Sequence, residues 1–179
     1  MRDIVTERMI LKEYKPEYAQ GLYDYAKDPE VGPPAGWAPH KSVEESEEII
    51  KELFIPVEGY AIFDKEDGRL IGTIALEYDR YRPDANSREI GYSLAKDMWG
   101  KGLMTEAAAA VMKFAFEELK LDQIGICTGP SNKRSQGVIK KCGFTYEGTV
   151  RRAYKIYDGS FRDSLLYSIL KEEYFEMQK

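Results

Sequence analysis

The run Trp99-Gly100-Lys101-Gly102 constrains this chain more than any other feature. It follows Glu89-Ile90-Gly91-Tyr92-Ser93-Leu94, which reads as a strand. It precedes a stretch on which Ala108, Val111, Met112, Ala115 and Leu119 recur at three-and-four spacing, the period of a helix. Glycines let a backbone approach a ligand closely, and the free N–H groups and positive dipole end of a helix start favour phosphate. The passage is therefore either an anion cradle or an ordinary strand-to-helix connection. Two rival phosphate motifs fit poorly. A P-loop needs Ser or Thr after Gly-Lys, and Gly102 stands there. A dinucleotide fingerprint needs a small residue where Thr105 sits and belongs after the first strand of a parallel unit.

The rest of the chain predicts strands and helices in alternation. Residues 4–12 read as a first strand. Pro16 opens a helix whose Ala19, Leu22, Tyr23 and Ala26 share a face. Residues 31–40 hold too much Pro and Gly for regular structure and form a loop around Trp37. Ser42 and Glu45 spell a capping box at the head of a second helix. Residues 60–63 and 70–76 make an antiparallel hairpin. Residues 124–128 read as a strand, and a helix from about Asn132 to Cys142 ends at Gly143, with Phe144 packing back on it. Strands at 145–157 and 164–170 flank a turn at Asp158-Gly159. No repeat or linker interrupts the series, so the expectation is one α/β domain over residues 1–179 with a mixed sheet.

Composition removes several classes. With 179 residues, 43% hydrophobic and 32% charged, the chain has the balance of a globular domain able to bury a core without staples. Cys127, Cys142 and His40 are the whole complement of thiols and imidazoles, too few for a disulfide scaffold or a Cys/His zinc site, so no metal is expected. The absence of a long apolar run and of a basic leader argues against membrane insertion or secretion, and the expectation is a cytoplasmic protein. A net charge of -5 argues against a nucleic-acid partner. The charge is unevenly spread: residues 1–60 carry 7 Lys/Arg against 13 Asp/Glu, residues 96–141 carry 8 against 5. One end suits a cation and the other an anion, unless both are solvated faces.

Four stretches together resemble the GNAT superfamily of acyl-CoA-dependent N-acetyltransferases, particularly the group acting on ribosomal-protein N-termini. They are Glu89-Ile90-Gly91-Tyr92, Trp99 to Ala107, Asn132-Lys133-Arg134-Ser135 and Lys141-Cys142-Gly143-Phe144. Trp37-Ala38-Pro39-His40 with Ser42 is similar to the substrate-side loop of that group. The resemblance implies a mostly antiparallel mixed sheet flanked by helices, with one parallel strand pair splayed apart. It implies acetyl-CoA as cosubstrate, its pyrophosphate on the backbone of Trp99, Gly100, Lys101, Gly102, Leu103, Met104 and Thr105. Its pantetheine would lie along Ile90, Gly91 and Tyr92, with Asn132 and Ser135 nearby. The family usually has Gln or Arg where this chain has Asp97. A homodimer through the late strands is compatible with the family.

Acetyl transfer needs a neutral amine, an oxyanion stabiliser and a proton for the departing thiolate. The resemblance places Ser135 as proton donor, although near a helix start it could instead cap backbone N–H groups. Glu89 would accept the amine proton and contact the acceptor, unless it is a solvated edge residue. Gly91 would allow close approach or a bulge whose freed N–H meets the oxyanion, unless it is an ordinary strand glycine. Trp37 would contact the acceptor, and the acidic run Glu44 to Glu48 would steer a cationic one or only solvate its helix. Tyr92 and Tyr146 are weaker catalytic candidates. The resulting expectation is an N-acetyltransferase acting on a protein N-terminus or small cationic amine. A non-catalytic acyl-CoA-binding regulatory module is the alternative.

Overall fold

The structure, a computed structural model, describes residues 2–179. Its framework is an eight-stranded sheet ordered β1-β2-β3-β4-β5-β6-β8-β7. The region read as one first strand is two: β1 (Ile4–Val5) and β2 (Met9–Glu13) pair antiparallel around a turn at residues 6–8. Thr6 and Met9 exchange hydrogen bonds at that reversal, which the apolar composition of the segment does not reveal. α1 (Ala19–Ala26) buries Ala19, Leu22, Tyr25 and Ala26, so Tyr25 rather than Tyr23 faces the core. Lys27 lies over the Tyr23 ring instead.

The Pro-rich loop contains one short turn of helix, α2 (Gly32–Ala35), closed by Gly36 at φ 105°. α3 (Val43–Ile49) continues into a wider π turn at Ile50–Phe54. Ser42 Oγ accepts from Glu45 N at 3.2 Å as the capping pattern predicts, whereas the Glu45 carboxylate takes the N–H of Lys41 rather than that of Ser42. β3 (Tyr60–Asp64), β4 (Leu70–Tyr78) and β5 (Ser87–Leu94) form an antiparallel meander. α4 (Leu103–Glu117) buries its apolar stripe, although Leu119, read as part of it, lies beyond its end and is exposed.

β6 (Gln123–Thr128) lies parallel to β5 and antiparallel to β8 (Phe161–Leu170), and β7 (Thr145–Lys155) is the outer edge. α5 (Lys133–Lys141) is capped at its start by Asn132, whose Oδ1 accepts from Ser135 N at 3.2 Å. Ser135 is therefore not the cap. Gly143, at φ 81°, ends it as expected. A last helix, α6 (Lys171–Met177), has no counterpart in the sequence reading. Its Glu173 carboxylate bonds the N–H of Leu170 at 2.8 Å, and Tyr174 stacks on Phe116.

Side chains alternate across a strand, so Glu89, Gly91 and Ser93 leave one face of β5 and Ile90, Tyr92 and Leu94 the other. On the first face Tyr14 and Tyr25 share the hydroxyl of Thr73 at 2.6 and 2.7 Å, and Tyr25 also reaches Ser93 at 3.0 Å. Burial of these phenols without partners would cost about 1–3 kcal/mol each. The network ties α1 to the middle of the sheet. On the second face Tyr92 meets α5. The site lies between these two faces.

Candidate active site

β5 and β6 pair only through Ser87↔Gln123, Arg88↔Ile124 and Glu89↔Gly125. Past that point the strands part. β6 stays paired to β8 up to Thr128↔Leu165, and β5 to β4 up to Leu94↔Gly72. The facing edges of residues 90–94 and 126–128 therefore carry main-chain groups without a strand partner, a slot an extended ligand can fill. Trp99 marks its far end by donating from the indole N–H to the Leu94 carbonyl at 2.9 Å.

At that end the glycine turn opens α4. Gly100 and Gly102 have φ of 76° and 78°, the left-handed region where an L side chain is strained. The first bond into the helix is Glu106 N to Gly102 O at 3.1 Å. Among the described residues no acceptor meets the N–H groups of residues 103–105, leaving three donors aimed out of the helix start. Arg8, from the turn before β2, fixes this loop: its Nη1 donates to the Lys101 carbonyl at 2.8 Å and its Nε to Glu106 at 2.7 Å. Burial pushes the Glu106 carboxyl up, but the bonds from Thr6 and Arg8 together hold it below its ordinary value.

Between α4 and α5 lies a cavity of about 280 Å³, lined on one side by Trp99, Gly100, Gly102, Leu103, Met104 and Thr105 and on the other by Asn132, Lys133, Arg134 and Ser135. The Arg134 guanidinium stands 3.8 Å from the Trp99 ring centroid. Cationic side chains, free helix amides and an unpaired strand edge are the donor set that a diphosphate with an amide-bearing tail requires, and at Gly102 there is no Cβ to obstruct it. The residues present therefore fit coenzyme A.

A second cavity, about 180 Å³, opens on the other face of the sheet and shares Ala35, Tyr92, Asn132 and Ser135 with the first. At the junction the Tyr92 hydroxyl lies 3.1 Å from Ser135 Oγ. Burial pushes the Tyr92 phenol well up, which keeps it protonated. The second cavity holds Glu77, Glu89, Arg80, Cys127, Tyr154 and Arg162, with Trp37 at its rim. Glu89 is 5% exposed. It accepts from Arg80 Nε and from the Cys127 thiol, both at 3.0 Å. Burial and the neighbouring Glu89 push the Cys127 thiol up to about 12, so it is a donor and not a nucleophile here. Arg162 donates to the carbonyls of Pro34 and Ala35 at 2.7 and 3.1 Å and stacks on Tyr154, locking the α2 loop over this cavity.

Residues 8–145 match the family described as the acetyltransferase (GNAT) domain. The chain belongs to the GNAT family. It is 30% identical over 179 residues to the uncharacterized N-acetyltransferase p20 of Bacillus licheniformis, covering 97% of this chain and 99% of that one. It is also 30% identical over 110 residues to the [ribosomal protein uS5]-alanine N-acetyltransferase of Escherichia coli, covering 62% and 56% of the two chains. A GNAT-family acetyltransferase crystal structure from Bacillus anthracis superposes with a TM-score of 0.82 over 96% of this chain and 99% of that chain, at 22% identity. The protein is thus a GNAT N-acetyltransferase, and acetyl-CoA-dependent acetyl transfer is the activity of its family.

The structure bears on several expectations about the GNAT site. Glu89 is buried and ion-paired, not a solvated edge residue. Gly91 carries no bulge: the β4–β5 register runs through Ala75↔Gly91 without a shift. Its missing Cβ instead leaves room for the Glu77 carboxylate, whose Oε1 would lie 3.1 Å from such an atom. Lys101 lines neither cavity. Its carbonyl is held by Arg8 and its amine rests on Met98 sulfur. Asp97 pairs with Arg69 at 2.6 Å.

The acidic run Glu44–Glu48 lines neither cavity, and Glu47 pairs with Lys51. The carboxylates facing the second cavity are Glu77 and Glu89. Tyr146 is exposed and bonded to Thr149 at 2.7 Å, outside both cavities. Sequence reasoning missed Glu77, Arg80, Arg162 and Arg8. The signal for Glu77 was the β4–β5 meander, whose register sets it directly opposite Glu89. Among the described residues no cluster of His, Cys, Asp or Glu could hold a metal ion, and no helix is long and apolar enough to cross a membrane.

Proposed function

We propose that residues 1–179 act as one catalytic domain that transfers the acetyl group of acetyl-CoA to a primary amine by direct attack in a ternary complex. The acceptor is a protein N-terminal amine or a small cationic amine. One observation carries this reading: a gap through the sheet with a hydroxyl pair on one face and two carboxylates on the other.

That arrangement separates the two proton transfers. Backbone groups of residues 90–92 align the thioester in the gap while the amides of residues 103–105, with Lys133 and Arg134, hold its diphosphate. The acceptor enters from the α2-loop face, between Trp37, Tyr154 and the carboxylates. Glu77 and Glu89 attract an ammonium and make its deprotonation easier. The Tyr92–Ser135 pair, on the opposite face, donates a proton as the sulfur leaves; neither hydroxyl has to be ionised beforehand. An α-amino group (pKa ~7.7–8.0) is easier to neutralise than a lysine (pKa ~10.4), which favours N-terminal acceptors. The relative acting on ribosomal-protein alanine supports the same choice.

The deciding experiment is a panel of basic alanine-starting peptides, polyamines and neutral amines incubated with acetyl-CoA, followed by free-thiol release and acceptor mass. A mass gain of one acetyl group with matching thiol release supports transfer. Tight acetyl-CoA binding without thiol release across the panel would identify a binding module instead.

A further inference from the structure

Glu77 and Glu89 are directly opposed across the β4–β5 ladder, so their carboxylates leave the same face of the sheet. Their surroundings differ. Both oxygens of Glu89 are engaged, Oε2 by the Arg80 guanidinium and Oε1 by the Cys127 thiol. Protonating Glu89 would weaken its pairing with Arg80, whose guanidinium also stacks over Tyr154. Among the described residues nothing donates a hydrogen bond to Glu77. Its Oε1 instead overhangs Gly91, in the stretch of β5 that has parted from β6.

A general base needs an unoccupied lone pair within reach of the reacting nitrogen. The geometry points to Glu77 as the carboxylate that takes the acceptor's proton, with Glu89 as a positioning residue that holds Arg80 and Cys127 against the cavity wall. This assignment rests on the transfer reading above. The charged and titratable groups around Glu77 are Glu89 beside it, Arg80 beyond the end of β4, Cys127 on β6, and Tyr154 and Arg162 on the late hairpin. Burial pushes the Glu77 carboxyl up, the charge of Glu89 adds to this and Arg80 offsets it. A carboxylate moved in that direction is a better base at neutral pH.

The protons balance. One proton of the acceptor ammonium passes to Glu77 and on to solvent. The freed lone pair forms the C–N bond to the thioester carbon as the C–S bond breaks. A second nitrogen proton leaves through the hydroxyl pair to replace the acyl group on sulfur, and the third remains as the amide N–H.

The test uses the full chain with two acceptors, a basic alanine-starting peptide and 1,4-diaminobutane, and acetyl-CoA affinity as the check on folding. Glu77→Gln is expected to lower kcat about 100-fold near neutral pH with acetyl-CoA Kd within about twofold of wild type. Its peptide rate should recover as pH rises past the amine pKa, where the acceptor is already neutral. Glu89→Gln should mainly raise the acceptor KM and keep the wild-type shape of the pH profile. A Glu77→Gln enzyme with the wild-type rate and pH profile overturns the assignment, as does loss of the acidic limb in Glu89→Gln alone. Absence of thiol release by the wild-type protein with both acceptors overturns the transfer reading, and the role of Glu77 falls with it.

Discussion

The hydroxyl of Tyr92, on β5, lies 3.1 Å from Ser135 Oγ, on the first turn of α5, bridging two elements that line the cavity between α4 and α5. Either oxygen can donate to a sulfur placed between them. Ser135→Ala is expected to lower kcat about 10- to 100-fold with acetyl-CoA affinity nearly unchanged, and Tyr92→Phe to do the same. Because the two act as a unit, the double variant should lose less than the product of the single losses. Steady-state kinetics on the three variants checks this, and additive losses would separate the roles.

Gly102 occupies left-handed backbone where any β-carbon is strained by about 1–2 kcal/mol, and a branched one by more. Gly102→Val should therefore distort the turn that presents the helix amides and weaken coenzyme A binding about 10-fold or more by calorimetry. Arg8→Ala, which removes the brace on the same turn, should weaken it in the same direction.

Arg134 stacks on Trp99, and both line the cavity proposed to hold the diphosphate. Charge-assisted bonds contribute about 1.5–3 kcal/mol, so Arg134→Ala should cost roughly 10- to 100-fold in coenzyme A affinity. The variant should also show a shallower dependence on salt, because one exposed cation fewer is screened. An unchanged salt slope would remove Arg134 from the anion site.

The base role proposed for Glu77 sets stability against catalysis. Its folded-state pKa lies above the unfolded value because burial disfavours the charge. Its favourable contribution is therefore complete below the unfolded pKa, ~4.3, and is lost as pH rises through the folded value. At pH 8 the variant Glu77→Gln should have a higher Tm than wild type, and the difference should vanish towards pH 4.

His40, the sole histidine, is buried, with Nδ1 2.8 Å from Ser46 Oγ. Burial lowers its pKa and the charge of Glu45 partly opposes this. The unfolded chain then takes up the proton first. Stability from this group is complete above ~6.5 and falls as pH drops below it. The Tm of wild type should fall more steeply from pH 7 to 5 than that of His40→Gln.

The glycine turn before α4, the cap at Ser42, the stop at Gly143 and the hairpin of residues 60–76 were legible in the sequence because each rests on neighbours a few positions apart. Periodicity, turn chemistry and capping act over that range. The break of the first strand at residues 6–8 was not legible, since Ile4-Val5 and Met9-Ile10-Leu11 are equally apolar and the reversal is held by Thr6 against Met9. Nor was α6, whose position is set by packing of Tyr174 on Phe116.

The chain's own residue order determined the strand–glycine–helix unit and its anion-favouring helix start, because left-handed backbone and free first-turn amides follow from local composition. Only the tertiary structure decided which of the two carboxylates is taken up by hydrogen-bond donors. Strand register set Glu77 against Glu89, and β6 and the turn after β4 brought Cys127 and Arg80 to Glu89 but not to Glu77. Hydrogen-bond occupancy depends on groups distant in sequence, so two chemically identical side chains acquired different capacities through partners that no local pattern specifies.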